Sequence, residues 1–327
     1  MLTNIIKVCI WIFVMTYGLS AYVHPNQAGH KGGNTSDVGT GEQVVTSTYL
    51  GNTGDFREQG VLFSVNKDGT NPSAIHGFKG YPTDGSYPWY TTPQQASDGS
   101  LYGVGYIGGS NNLGATYKFD TDTCSNTVIR NNGGYTDINT TNNDSVGNYA
   151  NQNELSDGKL YFADSYGGKY GYGSIVRTDK DGSNEEVIHS FTYGSILSED
   201  IKNSQYTDAA KKSISDLGLY MPKNVSYDGA WPYGFVVEGS DGRVYGTTVA
   251  GGFHTGGVVF SMNKDGSDYK IIYAGNSYVK YNYYHDGTGK LISSASPSYY
   301  MWGNVAEGQD GKIYLSSYVG GANNLGA

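Results

Sequence analysis

Cysteine is nearly absent: Cys9 and Cys124 are the only two in 327 residues, which excludes a disulfide scaffold. Charge is scarce as well. Only 16% of residues are Asp, Glu, Lys or Arg, and the 21 basic side chains are outnumbered by 30 acidic ones, for a net charge of −9. With no long basic run, the chain lacks the clustered cations that phosphate contact requires, which argues against nucleic acid as a partner. Proline stands at 8, and glycine lacks the three-residue period of collagen. The one strongly apolar run, Val8 to Met15, falls short of the ~20 residues that span a bilayer. What is abundant is glycine (49) and tyrosine (31), and an aromatic share of 14% excludes a disordered chain.

The first 21 residues read as a secretory signal. Lys7 ends a short basic region, Val8–Met15 is the apolar stretch, and Gly18-Leu19-Ser20-Ala21 supplies small residues for cleavage. A buried N-terminal helix or a membrane anchor is the competing reading. Removal of residues 1–21 would leave Cys124 as a lone thiol, so stability outside the cell would come from packing. The expected destination is secreted or cell-surface, with no membrane span after signal removal. Residues 22–42 then form a flexible N-terminal segment, and 43–327 carry the repeats.

One phrase recurs four times: Asp98-Gly99-Ser100-Leu101-Tyr102, Asp157-Gly158-Lys159-Leu160-Tyr161, Asp241-Gly242-Arg243-Val244-Tyr245 and Asp310-Gly311-Lys312-Ile313-Tyr314. A degenerate copy begins at Glu42-Gln43-Val44-Val45. Each clear copy is followed by a Gly-Gly loop, at Gly108-Gly109, Gly167-Gly168, Gly251-Gly252 and Gly320-Gly321. Apolar segments come next (VLFSV, ATYKF, SIVRT, VVFSM), and three of them run into Lys-Asp-Gly at 67–69, 180–182 and 264–266. Thr121-Asp122-Thr123 stands there in the second copy. Asp-Gly between apolar segments is a strong hairpin signal, and a type I′ turn with positive φ at both central residues is expected at each. Val, Ile, Tyr, Phe and Thr in the flanks suit a pleated, half-buried surface.

Each unit therefore reads as an antiparallel meander of four strands, a to d. In the fourth unit these are 233–239, VYGTTV, GVVFSM and YKIIYA. Copies of strand b start at Val44, Leu101, Leu160, Val244 and Ile313, at spacings of 57, 59, 84 and 69 residues. Four-stranded units at such a period predict an all-β chain, a β-propeller of antiparallel blades. The longest spacing holds an insertion at 195–219, expected as a loop helix with Ser198 as its N-cap. The final Gly320-Gly321-Ala322-Asn323-Asn324-Leu325-Gly326-Ala327 mirrors Gly108 to Ala115 but has no strand c after it, so a last blade truncated at the C-terminus is expected.

The unit DG-x-[LVI]-Y-G-T-T…GG…G-x-V-F…DG…[IV]-H-S-F, best matched at Asp241–Phe260 and Val187–Phe191, resembles the tandem repeat of secreted bacterial GloVer-repeat proteins. The resemblance covers nearly everything from Gln43 onward and implies a secreted, often surface-attached propeller. It implies no catalytic residues. The chain departs from the pattern at Thr121-Asp122-Thr123, at Phe162-Ala163-Asp164 and in its tyrosine content.

Repetition separates candidates from scaffold. His76 and His189 share one strand d position, with Tyr273 as a further copy, and Tyr102, Tyr161, Tyr245 and Tyr314 repeat likewise. All read as structural, as do Glu154, Glu238 and Glu307, each three residues before its Asp-Gly turn. Tyr90, Tyr149, Tyr233 and Trp302 lie at the start of strand a, with Trp89, Trp231 and Tyr300 close by. A ring of aromatics there is either packing between blades or a stacking platform for sugar rings. Unit-specific candidates for chemistry on the same face are His254, His285, Arg57 and Asp164, the last replacing Thr48, Gly105, Thr248 and Ser317 of the other units. His254, His285 and Arg57, with Tyr233, would suit a polysaccharide lyase, which needs a base such as His or Tyr and a cation for the uronate. A glycosidase would need two facing carboxylates, and only Asp164 and Asp286 stand out. Asp179–Glu185 begins like a calcium loop, but the closing acidic residue is absent, the twelfth position being Ser190, so plain turns and no cofactor are expected. Three functions remain: a glycan or surface-polymer binder, a polysaccharide-active enzyme, or a structural, adhesive repeat.

Overall fold

The structure, a computed structural model, describes residues 43–48, 59–88, 91–133, 150, 152–192, 228–252, 255–276, 283–285, 291–293 and 296–321. The expected signal (1–21), the expected flexible segment (22–42) and the predicted helix (195–219) lie outside the described residues. Within them every regular element is a strand.

The chain is all-β and built from antiparallel sheets in sequence order. The second sheet runs Gln94–Gln95, Leu101–Gly105, Ala115–Asp120, Ser125–Asn131, each strand pairing with the next. The third is Asn153–Glu154, Leu160–Asp164, Ser174–Thr178, Glu186–Ser190, and the fourth is Val237–Glu238, Val244–Thr247, Thr255–Met262, Lys270–Asn276. These are the a-b-c-d meanders of the sequence pattern. The first sheet has three described strands, Gln43–Thr48, Val61–Asn66 and Ser73–Gly77, and a fifth unit contributes Ala306–Glu307 paired with Ile313–Tyr314. Short pairs such as Gly85–Ser86 with Ile107–Gly108, and Gly229–Ala230 with Ala250–Gly251, lie at the b–c ends.

Two local expectations are corrected. The Asp-Gly turns are not type I′. In the second sheet Gly99 N–H donates to Ala96 C=O (2.9 Å) and Ala96 N–H to Ser100 C=O (3.0 Å), while Gly99 has φ +80° and Asp98 stays in the ordinary range. That is a type I turn closed by a left-handed glycine, a three-residue hairpin loop. The aspartate selects it: Asp98 Oδ1 accepts from Ser100 N–H and Oδ2 from the Tyr102 hydroxyl at 2.9 Å. Asp157–Tyr161, Asp241–Tyr245 and Asp310–Tyr314 repeat both bonds. Strand a is also shorter than 233–239. Val236 C=O accepts from Asn153 of the third unit and Phe235 N–H donates to Asn304 of the fifth, so neighbouring side chains take the groups a longer ladder would use.

The sheets pack face against face in chain order. Because side chains alternate across a strand, each sheet has one face toward the preceding unit and one toward the next. Leu62, Phe78, Leu101, Tyr117 and Phe119 fill the space between the first and second sheets. Ala96, Tyr102, Leu160, Phe162 and Val176 fill the next interface. Tyr161, Ile175, Phe191, Val236, Val244, Phe260 and Met262 join the third to the fourth, and Val259, Met301 and Val305 the fourth to the fifth unit. Inside a sheet, volume is conserved pairwise. Gly103 faces Tyr117 and Gly246 faces Phe260, whereas in the third sheet the large residue moves to strand b, where Phe162 faces Val176. A Cβ on Gly103 would sit 2.1 Å from the Tyr117 hydroxyl.

Candidate functional site

Antiparallel order puts the a–b and c–d turns at one end of the sheets and the b–c and d–a connections at the other. The first end carries charge. Ser97 N–H and Oγ donate to Glu154 of the following sheet at 2.5 and 2.8 Å, and Lys180 donates to both Glu154 and Ser97. Ser156, Glu238 and Lys264 form the same latch between the third and fourth sheets, and Ser240 with Glu307 the same contact beyond it. The three glutamates thus tie neighbouring units, in keeping with their repeated spacing. In the second unit Gln95 and Thr121 stand where the others have Glu and Lys, and both donate to Gly99 C=O.

The opposite end carries a row of aromatic side chains. Tyr166 and Tyr233 share a hydrogen bond between hydroxyls at 2.6 Å, with ring centroids 6.2 Å apart. Tyr233 meets Trp302 edge-on at 5.8 Å, and Trp302 stacks on Tyr318 at 5.4 Å and 19°. The four rings cross three consecutive units. Tyr166 and Tyr233 are half-buried, whereas Trp302 is 53% and Tyr318 68% exposed.

Trp231, beside this row, belongs to a second repeated feature. Tyr87, Trp231 and Tyr300 have φ of 49°, 57° and 55°, a conformation that is an outlier for bulky side chains. Each links two units through its backbone. Trp231 N–H donates to Tyr172 C=O of the preceding unit and its own C=O accepts from Val249 N–H. Tyr87 bridges Gln59 and Tyr106, and Tyr300 bridges Gly256 and Tyr318, in the same way. Glycine would serve this backbone better, so the aromatic side chain is what the position retains.

Of the residues expected from sequence, Tyr233 and Trp302 come together here, and Trp231 precedes Tyr233 by two residues. Trp89, Tyr90, Tyr149, His254, Arg57 and Asp286 lie outside the described residues. His285 ends the strand Tyr283–His285, which pairs with Leu291–Ser293 in a separate hairpin. Asp164 is buried and accepts from two Arg130 guanidinium nitrogens at 2.8 and 3.2 Å. Arg130 also donates to Asn132 and to both Glu185 oxygens, and stands 5.6 Å over the Phe162 ring. His76 and His189, read as structural, each pair with a buried aspartate: Asp84 at 2.9 Å and Asp228 at 3.1 Å. Tyr269 donates to Asp228 and stacks on His189 at 3.9 Å. Among the described residues no group of His, Cys, Asp and Glu could hold a metal ion.

Sequence reasoning missed Tyr166, Tyr318 and Arg130. Arg130 was visible in principle: it occupies the strand d position of His76, His189 and Tyr273, opposite Thr116 where the other sheets pair Leu62, Ile175 and Val259.

No protein-family model and no curated protein matches the chain. Among solved structures it is similar to TolB from Acinetobacter baumannii, at 12% identity and a TM-score of 0.31, over 71% of this chain and 53% of that one. The chain thus spans about half the length of that neighbour.

Proposed function

We propose that the chain is a secreted or cell-surface β-propeller that binds carbohydrate through its aromatic end. The leader-like residues 1–21 support export, and successive antiparallel sheets stacked face to face support propeller blades. The observation that carries the ligand class is the exposed Trp302–Tyr318 stack at the end of a four-ring row. Flat apolar faces with a polar rim suit the C–H faces of sugar rings, and aromatic residues with polar handles are favoured at such wet contacts. The rings are held from below by unit-to-unit hydrogen bonds, so the surface is preorganised.

The test is a glycan-array screen of the secreted protein alongside Trp302→Ala and Tyr318→Ala. Binding in the parent that falls at least tenfold in both folded variants is expected. A parent that binds no glycan, or variants that bind like the parent, would remove the carbohydrate assignment and leave the row as adhesive or structural surface.

A further inference from the structure

The interface between the second and third sheets departs from its siblings at four positions, and all four replacements are polar. On strand c, Leu62, Ile175 and Val259 stand where the second sheet has Thr116. Two residues before the strand a acid or amide, Pro93, Val236 and Val305 stand where the third unit has Gln152. Ile175 and Val236 share one apolar cluster, and Val259 and Val305 share another, so these positions meet across an interface. At the other two positions Arg130 stands where His76, His189 and Tyr273 do, and Asp164 replaces Thr, Gly or Ser.

Register fixes the direction of each side chain. Thr116 lies directly opposite Arg130, so both face the third sheet. Strand a pairs Asn153 with Tyr161 and Glu154 with Leu160, which sets Gln152 beside Phe162 on the face toward the second sheet. The Phe162 ring lies beneath the Arg130 guanidinium. Gln152 and Thr116 are both 0% exposed, and Gln152 Nε2, Gln152 Oε1 and the Thr116 hydroxyl have no hydrogen-bond partner among protein atoms. Leaving three such groups orphaned is costly, and native interiors satisfy nearly all of them.

The geometry points to a buried water site between these sheets, bounded by Thr116, Gln152 and the Arg130–Asp164 pair, with one or two ordered waters joining the amide to the hydroxyl. Water fits where a bare ion does not. The amide offers a donor and an acceptor together, and only a ligand that both gives and takes hydrogen bonds satisfies them. The two replaced apolar residues are coupled for this reason: either polar group alone would lack the partner that a bridging water reaches.

Oxygen-17 magnetic relaxation dispersion of the full chain counts waters held for long residence times. The comparison is the parent against Gln152→Val/Thr116→Val, which restores the residues of the fourth and fifth units. A drop of one or two long-lived waters in the folded double variant is expected. Unchanged dispersion amplitude would overturn the site, as would a rise in melting temperature with no water lost, the signature of groups that were simply unsatisfied. Should the double variant not fold, a crystal structure of the parent at water-resolving resolution decides. Density within hydrogen-bond distance of Gln152 Nε2 or Oε1 and of Thr116 Oγ1 supports the site, and an empty interface overturns it.

Discussion

Glu238 of the fourth sheet receives both the backbone N–H of Ser156 at 2.7 Å and its hydroxyl at 2.8 Å, while Lys264 pairs with the same carboxylate at 2.6 Å. Burial raises the pKa of Glu238, but the bonds from Lys264 and Ser156 outweigh it and hold the carboxyl below its usual value of 4.5. Ser156→Ala removes one charge-assisted bond and is expected to cost about 1–2 kcal/mol in urea denaturation.

Acid should loosen the same set of contacts. In Asp98 and Asp241 burial raises the pKa but is outweighed by the Lys118 and Tyr102 bonds and the Tyr245 bond respectively, while Lys312 lowers Asp310 outright. A folded value below the unfolded one gives stability that is complete above the unfolded value and lost as pH falls through the folded one. Melting temperature is therefore expected to hold near neutrality and to decline below about pH 4.5, less steeply in Glu238→Gln. A profile flat down to pH 3 would contradict it. At the other extreme, burial and the Asp241 bond push Tyr245 up to about 12, so this phenol stays protonated throughout.

Arg130 and Asp164 form a pair whose halves depend on each other. Asp164→Thr leaves a buried guanidinium short of its main partner and is expected to cost about 3–5 kcal/mol. Arg130→His/Asp164→Thr restores the residues of sibling units and should recover a large part of that loss. Denaturant midpoints for the two singles and the double form a cycle, and additive losses would show that the pair is not coupled.

Backbone strain and ligand binding should separate at Tyr300. Tyr300→Gly suits φ 55° and keeps both backbone hydrogen bonds, so stability should stay within about 1 kcal/mol of the parent. Glycan binding is expected to fall, since the exposed Tyr300 ring, two residues before Trp302 in the chain, is lost. Titration on one captured glycan and a thermal melt, run together, check both halves.

The Gly103–Tyr117 pair gives a packing test. Gly103→Ala places a methyl against the Tyr117 ring and is expected to destabilise by about 1–3 kcal/mol. Tyr117→Phe removes a fully buried hydroxyl with no partner and should be neutral or stabilising in the same thermal assay.

Much of the sheet order was legible because Asp-Gly-x-x-Tyr is a mechanical unit: the aspartate binds the turn and the tyrosine, and glycine supplies the left-handed residue. The turn type was not legible, since Asp-Gly serves both a two-residue turn and the loop found here, and only the pairing of Ala96 with Ser100 distinguishes them. Trp302 and Tyr233 were singled out by their spacing to the aspartate, and Trp231 as a neighbour of that position. Tyr166 and Tyr318 were not, because they occupy different positions after strand b, although Tyr318 has a counterpart in Tyr106. Asp164 stood out as unit-specific, but its partner Arg130 lies 34 residues earlier on another sheet, a distance over which spacing carries no signal.

The serine–glutamate–lysine latch takes one residue from a unit and two from its successor, so an interface is encoded by neighbours alone. A gene that gains or loses one whole period would rebuild a junction such as that of the third and fourth units unaltered, since each interface draws on adjacent units alone. The second and third units are the exception. Thr116 and Arg130 lie on one side of their boundary and Gln152 and Asp164 on the other, so recombination between these units would part both couples at once. That junction would therefore have to be exchanged as a block.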